Sequence, residues 1–341
     1  MSSSNRPIFI VGANRSGTTL LRLVLNAHSR IAVPDELDYI RAYVINTPIA
    51  DWQAPAVSDA VYAQYVDHWL SRWTSFLPEL DPDRLRADIL RHPPTIRAPY
   101  ATVLQAWADH YGKARWGEKT PGNLFYADIL VEMFPDAQFI YLVRDPRAGV
   151  ASMQRVDFFP DDPIFNAMIR RKSFQVGRRI LHDSVPPDQR TTLRYEDLVS
   201  APEATVRTLC SFLQEPFEEG MLAFHRQADQ YMRSDAAASF NHKATRPISA
   251  DRTDSWRSEL SSTAVALIER ICADEMDAFG YDRSPAPIPV QTRIEWMLKR
   301  GYWAWQTWRH RDQRHYVVRY PMFGHTRNGL KQTVGQLLSL S

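Results

Sequence analysis

Residues Pro7–Thr19 constrain this chain more than any other stretch. Ile8-Phe9-Ile10-Val11 is a short apolar run rich in β-branched residues, the pattern of a strand buried on both faces of a parallel sheet. Gly12 ends it. Gly17-Thr18-Thr19 then opens Leu20-Leu21-Arg22-Leu23-Val24-Leu25, which has the composition of a buried helix. A strand that turns tightly into a helix aims several unpaired backbone N–H groups at one point, and the helix dipole adds positive potential there. Such a loop is built to hold phosphate. The bland alternative is an ordinary strand–turn–helix with a Gly-rich turn.

The loop's side chains narrow the chemistry. A nucleotide-hydrolysing P-loop reads G-x-x-x-x-G-K-[ST]. Gly12 and Gly17 have that spacing, but Thr18 stands where the lysine belongs, and the loop's cation is Arg15. An arginine fork with the Ser16, Thr18 and Thr19 hydroxyls suits a multi-oxygen anion held without a metal. A P-loop kinase-like phosphotransferase using ATP and Mg²⁺ is the rival enzyme reading, and it lacks its lysine here.

At these residues the chain resembles the sulfotransferases that use 3′-phosphoadenosine-5′-phosphosulfate (PAPS), closest to the branch containing tyrosylprotein sulfotransferases. Arg15 to Leu20 reads like their 5′-phosphosulfate loop, and Val143-Arg144-Asp145-Pro146-Arg147 with Ser152 looks like their second nucleotide element. The resemblance covers about residues 7–282. It implies an α/β fold: a P-loop-type parallel sheet flanked by helices. It also implies PAPS as co-substrate, contacts from Arg15, Ser16, Gly17, Thr18 and Thr19 to the 5′ end, and contacts from Arg144 and Ser152 to the 3′-phosphate. Arg194-Tyr195-Glu196-Asp197-Leu198 is similar to an element whose tyrosine touches the nucleotide; packing is the alternative for Tyr195. The family often has a further arginine twelve residues after Arg144, where this chain has Val156, with Arg155 one residue early.

Two acids follow the extended segment Ile31-Ala32-Val33 and Pro34. Asp35 could cap a following helix and Glu36 sit in its first turn. Alternatively a carboxylate at a strand's carboxyl end is a candidate base. The resemblance places the catalytic glutamate on Glu36. Lys119 ends the stretch Arg115–Lys119; it is either solvated or a site cation, and the resemblance gives it the oxygen bridging sulfur and phosphate. Asn123 is expected to cap a helix running through Phe134. Gln138–Val143 is the clearest strand, with Asp145 as N-cap and Pro146 at the first helical position of the next helix. His28, at a helix end, is read as a cap rather than a base.

Between these elements, residues 56–112 read as a helical insertion, with Val61, Tyr65, Trp69, Trp73, Leu104, Trp107 and Tyr111 at helical spacing. That stripe reads as helix core or as the wall of an acceptor pocket. Residues 164–183 read as a basic amphipathic helix. Residues 232–257 resemble a loop that closes over the nucleotide, with Ser249 and Arg257 as candidates beside His242, Lys243 and Arg252. Ser261 or Ser262 caps a helix that Gly280 ends.

Charge separates the last stretch from the rest. The chain of 341 residues carries +2 overall; residues 285–341 hold nine Lys/Arg against two acids, a net +7, which leaves −5 for residues 1–284. We read 1–284 as one sulfotransferase domain and 285–341 as a basic, aromatic helical extension. Trp and Tyr alternating with Arg there suit a membrane interface, a partner or the protein's own body. Nucleic-acid binding by the tail would leave the phosphate loop unexplained. The two cysteines, Cys210 and Cys272, lie in helical patterns and read as buried free thiols of a reducing compartment. There is no apolar run long enough to span a bilayer and no signal-peptide core before the first strand, so a cytoplasmic location is expected, with the tail at the inner membrane face. No His/Asp cluster is spaced as a metal site. The acceptor stays open among small molecule, glycan, lipid and peptide.

Overall fold

The computed structural model describes residues 5–44, 58–73, 77–157, 159–231, 245–251, 253–284 and 287–309. Among these, five strands form one sheet: β1 (Ile8–Gly12), β2 (Ile31–Ala32), β3 (Arg115–Lys119), β4 (Gln138–Val143) and β5 (Arg190–Arg194). The order is β2-β3-β1-β4-β5 and every pairing is parallel. β1 lies at the centre, with Ile8 opposite both Gly117 and Gln138. All of β1, β3 and β4 is buried, whereas β5, at an edge, is half-exposed. The unbroken apolar runs of β1 and β4 thus report helices on both faces, as a parallel sheet requires. Phe9 meets the rings of Tyr100, Trp116, Phe134 and Phe139 at 5.3–6.5 Å.

Helix α1 (Thr18–Asn26) leaves β1 and is buried along nearly its whole length. Between β2 and β3 the chain makes α2 (Asp59–Trp73), α3 (Pro82–Leu90) and α4 (Arg97–His110). Tyr65, Trp69, Leu104 and Trp107 of the predicted stripe are buried in the main core, so these four are packing residues; Val61 is exposed. Asp81 caps α3, with Pro82 at its first position.

After β3, Pro121–Tyr126 is a 3₁₀ turn and α5 spans Ala127–Met133. Asn123 therefore sits inside the turn and caps nothing; its amide donates instead to Glu118 at 2.7 Å. The buried Glu118 carboxylate needed that donor more than the helix start did. Helix α6 (Pro146–Gln154) has Asp145 as N-cap, accepting from the Arg147 N–H. The expected helix over 164–183 divides into α7 (Pro163–Lys172), a π-wound turn (Ser173–Arg178) and a short helix (Arg179–Ser184). Later helices are Pro202–Leu213, Ser262–Ile271 capped by Ser261, Ala273–Phe279 ended by Gly280, and Val290–Arg309. Cys210 and Cys272 are buried free thiols.

Candidate active site

Because all five strands run the same way, their carboxyl ends share one edge of the sheet. The chain also crosses from β3 over β1 to β4 there, and open α/β sheets bind ligands at such a switch point. Each strand delivers a predicted residue to this edge: the loop Arg15–Thr19 after β1, Glu36 after β2, Lys119 at the end of β3, Arg144 after β4 and Tyr195 after β5.

The β1 loop is held in a shape few residues adopt. Arg15 has φ 65° and Gly17 φ 96°, with the Ser16 N–H donating to the Ala13 carbonyl at 3.2 Å. A left-handed non-glycine residue costs roughly 1–2 kcal/mol, strain of the kind that collects at functional sites. A Cβ on Gly17 would lie 2.4 Å from the Tyr195 ring, so Tyr195 packs directly on the loop. Helix α1 begins without a side-chain cap and without an acid in its first turn. The Ser16 hydroxyl is fully buried and has no hydrogen-bond partner among the described residues. A helix start with no side-chain cap, its positive dipole and an orphaned buried hydroxyl are what an anion-binding loop offers.

Arginines from two strands meet over this loop. Arg15 Nε donates to Ser152 Oγ of α6 at 3.2 Å, and Arg144 Nη1 donates to the Arg15 carbonyl at 3.2 Å. The Arg144 guanidinium stacks 4.3 Å from the Tyr195 ring centre. Burial, then the charges of Arg144 and Arg155, lower the pKa of Arg15, with Glu36 opposing. Burial lowers that of Arg144, against Tyr195 and Glu196, and Arg170 and Arg155 add to the lowering. So much positive charge in a shielded place favours an anion. Arg155 also pairs with Glu259. Val156 is buried beside Met153 and Phe159, and Arg155 is the side chain whose charge reaches the site.

Lys119 is fully buried and donates to Glu36 Oε1 at 2.6 Å and to Asp35 Oδ1 at 3.3 Å. No helix starts at Asp35, whose carboxylate accepts the Glu36 N–H at 2.9 Å. Burial would raise the Asp35 pKa, but Arg22 and Lys119 outweigh it and hold the group well below the usual carboxylate range. Glu36 itself is about half exposed, 46% for its side chain. The pair thus joins a buried ammonium to a half-exposed carboxylate beside the arginine-lined loop.

Arg170 is a site-building residue that sequence reading missed. It belongs to the stretch read as a basic amphipathic helix, and its side chain is buried. Its guanidinium donates to the carbonyls of Asn14 (3.2 Å) and Arg144 (2.8 Å) and pairs with Glu275 at 3.2 Å. It thereby ties the β1 loop to the end of β4. Gly149 leaves the room: a Cβ there would sit 2.2 Å from Arg170 Nη1. Nothing local separates Arg170 from its neighbour Arg171; only the path of α7 does. Glu196 plays a similar part, accepting the Asp145 N–H at 3.0 Å and the Tyr281 hydroxyl at 2.7 Å.

Three further expectations resolve as structural contacts. His28 is buried, with Nδ1 accepting the Arg30 N–H and Nε2 facing the Pro216 carbonyl at 3.0 Å. Ser249 accepts the Asp251 N–H, and Arg257 pairs with Asp254 in the open, so neither joins the site. Trp256 anchors that segment on α6, 4.1 Å from the Arg147 guanidinium. His242, Lys243 and Arg252 lie outside the described residues.

Residues 7–219 match the sequence model of the Sulfotransferase family. The chain belongs to that family. The protein-tyrosine sulfotransferase A of Caenorhabditis elegans is 24% identical over 291 residues, covering 82% of this chain and 68% of that one. The omega-hydroxy-beta-dihydromenaquinone-9 sulfotransferase Stf3 of Mycobacterium bovis is 24% identical over 343 residues, with 84% and 78% covered. The chain spans 27% of an uncharacterised Aquifex aeolicus relative and 51% of the Drosophila melanogaster protein-tyrosine sulfotransferase. In fold it is similar to the sulfotransferase domain of the Synechococcus PCC 7002 olefin synthase: TM-score 0.57, 24% identity, 83% of this chain and 97% of that one. In this family member, Arg15, Glu36, Lys119, Arg144, Ser152 and Tyr195 all fall inside the matched span, and the helix Val290–Arg309 falls outside it.

Proposed function

We propose that the protein transfers a sulfuryl group from PAPS to a hydroxyl or amine acceptor, with Glu36 as the base. The observation that carries this reading is the placement of the Lys119–Glu36 pair on the same sheet edge as the Arg15–Ser152 and Arg144–Tyr195 contacts. The residues fit the co-substrate: the buried, unpartnered Ser16 hydroxyl and the uncapped start of α1 suit the 5′ end.

In this scheme Arg15, Ser16, Gly17, Thr18 and Thr19 hold the 5′-phosphosulfate, Arg144 and Ser152 the 3′-phosphate, and Tyr195 contacts the nucleotide. PAPS supplies the sulfuryl group. Glu36 takes the proton from the acceptor hydroxyl as that oxygen bonds to sulfur. Lys119 and Arg15 stabilise the negative charge that gathers on the leaving bisphosphate as the old sulfur–oxygen bond breaks. Lys119 gives up its bond to Glu36 as it turns to that oxygen, which frees the carboxylate to act. Residues 1–284 form the catalytic unit, cytoplasmic in location, and the acceptor is a small molecule, glycan, lipid or peptide.

Calorimetry with adenosine 3′,5′-bisphosphate in the absence of metal, beside ATP with Mg²⁺, tests the reading. Metal-independent bisphosphate binding, weakened in Arg15→Ala and Arg144→Ala, is expected. Each loses a charge-assisted contact worth about 1.5–3 kcal/mol, or roughly tenfold to a hundredfold in Kd. Binding of ATP–Mg²⁺ with none of the bisphosphate would overturn it in favour of a kinase.

A further inference from the structure

We propose that the helix Val290–Arg309 docks this protein on an anionic lipid surface. One side of the helix is already occupied. Trp296 and Tyr302 pack on the cluster around Phe165 and Met168 of α7, and Tyr302 meets the Phe165 ring at 6.4 Å. Lys299, between them, pairs with Asp162 and lies 5.7 Å from the Phe165 ring centre. The helix is therefore fixed to the body and has a defined outer face.

That outer face is apolar. Of the six large hydrophobic side chains exposed among the described residues, five are on this helix: Val290, Ile294, Met297, Leu298 and Trp305, each between 44% and 69% exposed. Their spacing of i, i+4, i+7, i+8 and i+15 puts them on one stripe, with Gly301 in its middle. Exposed Arg293 and Arg300, two turns apart, border the stripe. An apolar stripe edged by arginine, on a helix not apolar enough to cross a bilayer, is the pattern of a helix that lies in the headgroup plane.

Charge decides between occupants. Residues 285–341 carry +7 while residues 1–284 carry −5. A second copy seated on this stripe by a two-fold axis would bring Arg293 and Arg300 against their own kind, a repulsive arrangement. An anionic bilayer accepts the stripe into its acyl boundary and the arginines at its phosphates. The surface is independent of the group transferred, since no residue of the sheet edge belongs to it.

Co-sedimentation of the full chain with phosphatidylcholine vesicles, with and without phosphatidylglycerol, tests the proposal. Binding is expected only with phosphatidylglycerol. Met297→Glu with Leu298→Glu abolishes it, and Arg293→Glu with Arg300→Glu weakens it by at least about tenfold, given roughly fivefold per arginine at such a surface. Both pairs are exposed, so thermal stability and bisphosphate binding stay at parent values. Absence of vesicle binding by the parent overturns the proposal, as does binding that survives the Met297/Leu298 change. A dimer in light scattering that the same change dissolves assigns the stripe to a second copy instead, and also overturns it.

Discussion

Replacing Gly17 by alanine probes the packing of Tyr195 on the phosphate loop. The substitution meets two separate costs. Gly17 has φ 96°, where an L residue loses roughly 1–2 kcal/mol. Its new Cβ would lie 2.4 Å from Tyr195 Cδ2 and 2.9 Å from Cε2, an overpacking that typically costs about 1–3 kcal/mol. Together these predict a loss of roughly 2–5 kcal/mol, or about 4–10 °C in Tm at some 2 °C per kcal/mol for a domain of this size. The two parts separate in a double-mutant cycle. Tyr195→Ala removes the clash but leaves φ unchanged, so in that background Gly17→Ala costs only about 1–2 kcal/mol, and a coupling of about 1–3 kcal/mol appears. Urea denaturation of the four proteins measures it. Bisphosphate affinity also falls in Gly17→Ala, because the displaced ring no longer supports Arg144, now 4.3 Å from its centre. A Gly17→Ala protein within about 0.5 kcal/mol of the parent, or an additive cycle, would refute the reasoning.

Two other outcomes follow from the same edge of the sheet. If Glu36 is the proposed base, Glu36→Gln lowers kcat by about a hundredfold to ten-thousandfold while leaving bisphosphate binding unchanged; equal loss in both measurements assigns Glu36 to nucleotide binding instead. Glu118 is fully buried, and burial pushes its pKa up to about 7 despite hydrogen bonds from Thr120 and Asn123 and the charge of Lys119. The folded state therefore holds a proton that the unfolded chain releases near pH 4.5. Stability from this group is full below that pH and is lost as pH rises towards 7, by up to about 3 kcal/mol. Glu118→Gln should flatten that decline in denaturation midpoints between pH 5 and 7; an unchanged slope would count against a proton held there.

Residues 7–19 determined much of this protein by themselves. A β-branched run ending in glycine, then Gly17-Thr18-Thr19 before a leucine-rich segment, encodes a strand, a turn and a helix start through local sterics alone. The same holds for Asp145 and Pro146 opening α6 and for Gly280 closing the helix before it, because caps and left-handed positions depend on neighbours in the chain. The sheet order is different in kind. It brings Lys119 to Glu36 across 83 positions and Arg15 to Ser152 across 137, and no local pattern records such pairings. The burial of Arg170, one of several basic residues in a stretch that reads as a basic amphipathic helix, is decided by the packing of α7 on α6 and by the space left at Gly149. Asn123 likewise lost its expected cap because Glu118, carried inside on β3, needed a donor. Periodicity and turn chemistry are properties of a few adjacent residues; whether a charged side chain is paired, buried or exposed is settled only when distant elements meet.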